Sequence, residues 1–391
     1  MKEEKRRVPK LRFPGFTEDW EQRKLSELLD YERPDKYIVE SDNYSDAFDT
    51  PVLTANKAFI LGYTNEARTY NEESIIFDDF TLDRKYVNFP YMLKSSAIKI
   101  LKSKNGHNLR FLFELLNSTR FEILGHARHY ISVVQNTGTL CPSIEEENRI
   151  SHFLEEVDKL ITLHQRKLEN LKLKKKALLQ KLFPKNGEYY PELRFPGFTD
   201  AWEQRKLSDF TERVTRKNGD QTDRPLTISA QDGLVDQRGY FNRQVASKDM
   251  SNYYLIQNGE FAYNKSYSEG YPFGAVKRLD YYSCGALSTL YILFRLVDSS
   301  INSDFLVTYY MTHLWYKEIS KRAAEGARNH GLLNIATEDF FDSELKVPTQ
   351  ISEQVKIGNF IKSLDNYITL HQRKLEHLQL QKKALLQQMF V

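Results

Sequence analysis

Apolar residues recur every three or four positions over two long stretches of the chain. In the first, Leu154, Val157, Ile161, His164, Leu168, Leu171, Lys175, Leu178 and Leu182 take the a and d places of a heptad. In the second, Ile361, Leu364, Ile368, His371, Leu375, Leu378, Lys382, Leu385 and Met389 do the same. A 3.5-residue repeat kept over about four heptads predicts a long helix packed along one seam. No Gly or Pro interrupts either stretch. Ser143 and Glu146 predict a capping box at the first start. Phe183-Pro184-Lys185-Asn186-Gly187 predicts its stop. A helix of about 35 residues is about 50 Å long. Neither seam can be buried alone, so the two helices are natural partners, expected antiparallel about a pseudo-twofold axis. That arrangement places a domain at each end of a rod.

Between these stretches the pattern changes to short β-branched and aromatic runs. PVLTANKAFILGY, SIIFDDFT and SSAIKIL read as strands in the first half. RPLTISAQDGLV, GEFAYNKSY, FGAVKRL and ALSTLYILFRL do so in the second. Residues 111–124 read as one short amphipathic helix and residues 304–324 as another. The fold class is therefore α+β, with two β-rich domains and a long two-helix coiled coil. The expected divisions are residues 11–143 and 193–350 for the domains, 144–183 and 351–391 for the long helices, and 184–192 for a linker.

The chain also repeats itself, which decides the architecture more firmly than any single element. LRFPGFTEDWEQRKL (residues 11–25) returns as LRFPGFTDAWEQRKL (193–207), and the helix at 153–183 returns at 360–390. The segments between barely resemble each other. They share one further mark, Gly125-His126-Ala127-Arg128-His129-Tyr130 against Gly326-Ala327-Arg328-Asn329-His330. Arg128 and Arg328 are suited to phosphate or a base edge; a surface turn with one solvated Arg is the plainer reading. For His164, His371, Lys175 and Lys382 in the seam two readings stand: polar layers that set register or bind a partner, or snorkelling Lys and half-exposed His. The Lys172–Lys176 run is likewise a solvated face or a nucleic-acid patch.

Composition narrows the class. The 391 residues are 40% hydrophobic and 28% charged, ordinary for a soluble globular protein. A net charge of +3 allows a nucleic-acid partner without demanding one. The 23 Tyr and 24 Phe favour β-rich domains. Cys141 and Cys284 form no metal-type spacing and no disulfide framework, so a reducing cytoplasm is expected. The charged start MKEEKRRVPK lacks the apolar stretch of a secretory signal.

Catalytic motifs are missing. There is no GxGxxG, no P-loop and no GxSxG. Asn88-Phe89-Pro90-Tyr91 matches three of four positions of the NPPY motif of adenine methyltransferases, with no cofactor motif beside it; a turn at a strand edge is the alternative. The Glu344-Leu345-Lys346 fragment with Asp342 has no counterpart in the first half. Two His, His126 and His129, without further ligands are a weak metal site. No cofactor-binding, metal or catalytic residue is therefore assigned.

The LRFPGFxxxWEQRKL mark, the EEENRI and SEQVKI lead-ins and the DKLITLHQRKLENLKLKKKALLQ helix resemble the specificity subunit of bacterial Type I restriction–modification systems. The resemblance covers nearly the whole chain. It implies a non-catalytic DNA-binding subunit whose two target-recognition domains each read one half of a bipartite, asymmetric site. It implies paired helices that set the spacing and dock two modification subunits, which use S-adenosylmethionine to methylate adenine N6. It implies restriction subunits that use ATP and magnesium, and a role in phage defence. Candidate DNA contacts are polar residues at strand ends: Lys57, Asp78, Asp79, Thr81, Arg84 and Lys85, then Gln231, Arg238, Asn264, Lys265, Ser266 and Tyr267, with Arg128 and Arg328. Lys and Arg suit phosphate or guanine, and Asn and Gln suit adenine. The alternative is a scaffold whose unlike domains bind other partners.

Overall fold

The computed structural model describes residues 7–56, 58–123, 125, 127–185, 187–229, 232–241, 246–267, 270–323 and 333–390. Candidate residues Lys57, Gln231 and Arg328, and His126, lie outside them. The chain forms two compact units, Met1–Gln165 with Arg373–Val391, and Arg166–Gln372. Each unit therefore holds part of both long helices, Ile144–Lys181 and Ile351–Met389.

In the first unit, strands β1 (Glu21–Lys24), β2 (Leu29–Glu32), β3 (Thr50–Leu53), β4 (Ile60–Thr64), β5 (Ser74–Asp78), β6 (Arg84–Val87), β7 (Met92–Leu93), β8 (Ile98–Ser103) and β9 (Gly138–Cys141) form three sheets. The largest has the order β2-β8-β5-β6 and is antiparallel throughout. β4-β3-β7 is a mixed three-stranded sheet, and β1 pairs with β9. β5 is SIIFD, buried over its first four residues. Such a continuous apolar run suits the centre of a sheet covered on both faces.

The second unit has β10 (Glu203–Lys206), β11 (Thr211–Val214), β12 (Leu226–Ser229), β13 (Gly233–Asp236), β14 (Tyr254–Gln257), β15 (Phe261–Asn264), β16 (Ala275–Arg278), β17 (Cys284–Leu287), β18 (Ile292–Leu296) and β19 (Glu344–Val347). Its four-stranded sheet runs β11-β18-β15-β16, the order of the first unit's sheet. Two segments with little sequence in common thus build one topology. They differ beside it: β12–β13 and β14–β17 are separate pairs here.

The helices between strand and repeat are shorter than their patterns predict. The first is Leu109–Ser118, capped by Asn108, whose side chain accepts from the Phe111 N–H. It ends early because Ser118 and Thr119 hydroxyls bond back to the Glu114 and Leu115 carbonyls, and Thr119 turns extended. The second is split into Ser303–Tyr310 and Leu314–Arg322. Thr312 makes the break: its hydroxyl donates to the Tyr309 carbonyl and accepts from the Leu314 N–H.

The repeated residues form a frame that recurs contact for contact. Arg12 makes a two-pronged ion pair with Glu146 at 2.7 and 2.7 Å, and Arg194 does so with Glu353 at 2.8 and 2.8 Å. Phe13 meets Phe153 edge-on at 5.7 Å, and Phe195 meets Phe360 at 5.8 Å. Trp20 sits between Phe111 and Phe390; Trp202 sits between Phe305 and Phe183. The capping box is only half made, since Glu146 serves Arg12 while Ser143 Oγ accepts the Glu146 N–H at 3.4 Å.

Within each unit the two helix segments run antiparallel. In the first, Ile150 and Leu154 share a core with Met389 and Phe390. In the second, Leu182 and Phe183 share one with Ile357 and Ile361. The inward residues along the first helix include Ile161, His164, Leu168, Leu171 and Leu178; along the second they include Ile368, His371, Leu375, Leu378 and Leu385. Lys382 pairs with Asp158, and Lys175 with Asp365, each at 2.6 Å across the helices. These lysines are therefore cross-helix ion pairs that favour one register, rather than snorkelling cations. Lys172, Lys174 and Lys176 are exposed.

Candidate nucleic-acid interface

The central strand of each four-stranded sheet ends in a polar turn that holds a second loop. In the first unit, Asp78 closes the turn after β5, its Oδ1 accepting from the Phe80 and Thr81 N–H groups at 2.9 and 3.0 Å. Thr81 Oγ1 donates to Asp83 at 3.0 Å. Leu82 takes φ 61°, a left-handed conformation unusual for a residue other than Gly. Asp79 points inward and is buried: its Oδ1 accepts from the Tyr130 N–H at 2.7 Å and its carbonyl from the His129 N–H at 2.9 Å. Lys99, also buried, lies 3.8 Å from its Oδ2.

That clamp brings Arg128, the Arg of the shared loop, to the turn. Arg128 is exposed, with its guanidinium 5.9 Å from the centre of the Phe80 ring. Phe80 itself is 41% exposed, high for such a side chain beside a sheet end. Arg84 is half-buried; its Nε donates to Asn117 Oδ1 at 2.7 Å, and desolvation lowers its pKa. Lys85 is half-buried on β6.

Of the candidates in this half, the structure thus gathers Asp78, Asp79, Thr81, Arg84 and Arg128 at one end of the sheet but gives them different tasks. Asp78, Asp79 and Thr81 hold the backbone, Arg84 is tied to the short helix, and Arg128 faces outward. Phe80 was not singled out from sequence. Its signal was present: an aromatic between two acidic turn residues and a Thr, where the strand pattern stops.

The second unit builds the same junction with other residues. Asn264 ends β15 and its side chain accepts from the Ser266 N–H at 3.0 Å. The Lys265 carbonyl accepts from the Leu333 N–H at 3.0 Å, as Asp79 does from His129. Asn264, Lys265 and Ser266 are half-buried, and Tyr267 is 53% exposed. Arg238 lies apart, after β13, paired with Asp236 at 3.2 Å and Asp223 at 3.6 Å. Asp236 raises its pKa.

The weaker motifs resolve into structural roles. Tyr91 of the Asn88–Tyr91 segment is fully buried, its hydroxyl 2.7 Å from Ser74 Oγ. Asp342 pairs with Lys206, Glu344 with Gln204, and Lys346 with the Glu188 carbonyl, so these three face separate partners. Among the described residues no helix is long and apolar enough to cross a membrane.

Residues 17–173 match the family model of the Type I restriction modification DNA specificity domain. A curated relative, the Type I restriction enzyme EcoR124I/EcoR124II specificity subunit of Escherichia coli, is 42% identical over 116 residues, 28% of this chain and 29% of that protein. Over part of its length the chain is thus similar to Type I specificity subunits. It matches under a third of that relative's length. The fold extends further: the crystal structure of a Type I restriction–modification system S subunit from M. genitalium aligns over 98% of this chain and 99% of its own, with a TM-score of 0.66 at 11% identity.

The long helices also carry exposed apolar residues at matching positions of the repeat. Leu160, Leu163 and Leu173 on the first are 40, 60 and 64% exposed, and Tyr367, Leu370 and Leu380 on the second are 57, 61 and 66%. The Asp158–Lys382 pair sets Leu160 and Leu380 at one level in the first unit. The Lys175–Asp365 pair sets Leu173 and Tyr367 at one level in the second.

Proposed function

We propose that the chain is the non-catalytic DNA-reading subunit of a Type I restriction–modification complex. Each β-rich domain reads one half of a bipartite, asymmetric target, and the paired helices fix the spacing between the halves. The observation that carries this reading is the frame built twice around unlike strand-end junctions: Asp78–Asp83 with Arg128 in one unit, Asn264–Tyr267 in the other. A repeated frame suits a repeated partner, and unlike junctions suit unlike half-sites. Arg128 beside Phe80 offers a cation and a flat ring to a backbone or a base edge.

The exposed Leu160–Leu163–Leu380 and Tyr367–Leu370–Leu173 sets are alike, as docking two copies of one modification subunit requires. S-adenosylmethionine, ATP and magnesium are assigned to the partner subunits, which act on an adenine taken out of the duplex. Mapping methylated adenines in cells that carry the chain and its partners tests the reading. A two-part asymmetric motif with a fixed gap is expected. Replacing residues 26–142 with another recognition domain should alter one half of that motif. A change in both halves, or in the gap alone, sinks the assignment.

A further inference from the structure

The first unit brings three metal-ligand side chains into one buried place. His107 precedes the Asn108 cap, Cys141 ends β9, and Glu147 lies in the first turn of the first long helix. Glu147 Oε1 is 2.7 Å from His107 Nδ1 and 3.0 Å from Cys141 Sγ. The three ligand atoms all lie within 4.8 Å of one another. Glu147 Oε2 is held by the Asn108 N–H at 2.8 Å, so the carboxylate is already oriented. Glu147 is fully buried, and the His107 side chain is 9% exposed.

The second unit shows that the frame does not need this trio. Asn302 caps its helix as Asn108 does, and β19 pairs with β10 as β9 pairs with β1. The matching positions are Ile301, Val347 and Gln354. Gln354 Oε1 accepts from the Asn302 N–H at 2.9 Å, and its Nε2 donates to the Ser300 and Pro348 carbonyls, each at 3.0 Å. A neutral amide between two aliphatic residues therefore completes the junction. In the first unit all three facing positions change together, to an imidazole, a thiol and a carboxylate. A buried carboxylate costs several kcal/mol unless a positive charge meets it; among the described residues the ion pair found for Glu147 is with His107, which supplies a charge only when its imidazole is protonated.

We propose that His107 Nδ1, Cys141 Sγ and Glu147 Oε1 form a binding site for a divalent cation of the zinc class, with water in the fourth position. One nitrogen, one sulfur and one oxygen suit that borderline ion. Bonds of about 2.0–2.3 Å to a tetrahedral ion set its ligands about 3.3–3.7 Å apart, so the side chains separate by less than about 1 Å. The thiol proton leaves to solvent, and His107 binds through a neutral Nδ1 with its proton on Nε2. The ion ties the first turn of the long helix to β9 and to the helix cap.

Cobalt(II), titrated into the purified full chain, is the probe. One ion per chain is expected, with a sulfur-to-cobalt charge-transfer band and the visible bands of four-coordinate cobalt. Cys141→Val removes the charge-transfer band, Cys284→Ser leaves it, and His107→Ile or Glu147→Gln weakens binding by at least about tenfold. The triple variant H107I/C141V/E147Q copies the second unit, so it folds and binds nothing; zinc raises the unfolding temperature of the parent chain and not of the triple variant. Absence of the band in the parent chain, its survival in Cys141→Val, or its loss in Cys284→Ser overturns the proposal. The DNA-reading assignment is untouched by either result.

Discussion

The two units hold their long helices with the same kinds of atoms and present different ones at the sheet ends. Arg12 grips Glu146 as Arg194 grips Glu353, and Trp20 is enclosed by Phe111 and Phe390 as Trp202 is by Phe305 and Phe183. At the junction after the central strand the residues part company. Asp79 is a buried acid clamped to the Arg128 loop, whereas its counterpart Lys265 offers mainly its carbonyl. Two residues after the helix cap the charge even reverses, from Arg110 to Asp304. The lesson is one of independence. Because the frame closes through its own ion pairs and aromatic contacts, the junctions can change without loosening it.

Breaking the frame should therefore hurt both units alike. Arg12→Ala and Arg194→Ala each leave a carboxylate with a 1% exposed side chain and no guanidinium. Each should cost about 3–5 kcal/mol, the usual penalty for stranding one member of a buried pair. Denaturant unfolding, followed by hydrogen exchange in each unit, measures it. A loss in only one unit would mean that the repeat is conserved in sequence but not in role.

Breaking a junction should hurt one half only. Arg128→Ala in the assembled complex should weaken DNA binding by about tenfold and lower the salt slope by about one, as removal of one phosphate contact does. Arg238→Ala should change less, since Asp236 and Asp223 already occupy its guanidinium. Equal losses would place both guanidiniums on the DNA, and a larger loss for Arg238→Ala would place Arg238 on it and Arg128 off it.

How much of this the sequence disclosed follows from where the information is stored. The helix seam is written in local periodicity, so its inward positions could be read directly. The repeated mark announced itself, but its work did not: Arg12 meets Glu146 across 134 positions, which no local pattern encodes. The shared four-stranded sheet was hidden because sheet order is set by long-range pairing, and the two halves reach it with different side chains. The helices stop short of their apolar patterns where a Thr or Ser hydroxyl competes for backbone carbonyls. Asp79 reads as a surface contact because a polar residue at a strand end is usually exposed; a buried clamp has the same spelling.

The seam lysines sharpen the comparison on a smaller scale. Lys175 and Asp365 are 21% and 33% exposed, so Lys175→Met should cost up to about 1 kcal/mol. Lys382 meets Asp158 at the same distance but also lies 3.6 Å from the buried Glu114, so Lys382→Met should cost more. Paired unfolding curves decide it, and the reverse order would show that Arg110, 2.8 Å from Glu114, alone suffices for it.

The smallest effect is a pH dependence tied to the reversed charge at Asp304. Burial raises its pKa, but hydrogen bonds from Lys362 at 3.0 Å and Arg278 at 2.6 Å outweigh burial and hold it below the ordinary carboxylate value. A carboxylate whose folded pKa is depressed binds protons less readily when folded than when unfolded. Its contribution is therefore complete above the unfolded pKa and is lost as pH falls through the folded one. The second unit should lose part of its stability between about pH 5 and pH 2. Asp304→Asn should lower stability at neutral pH and flatten that part of the profile, because the group that takes up the proton is gone. In the first unit the same helix position is Arg110, whose guanidinium pairs with Asp158 at 2.5 Å. Arg110→Gln should lower stability at neutral pH by breaking that pair. Unfolding of the Asp304→Asn variant at neutral and acid pH measures the effect, and an acid slope equal to that of the parent chain would remove Asp304 as its source.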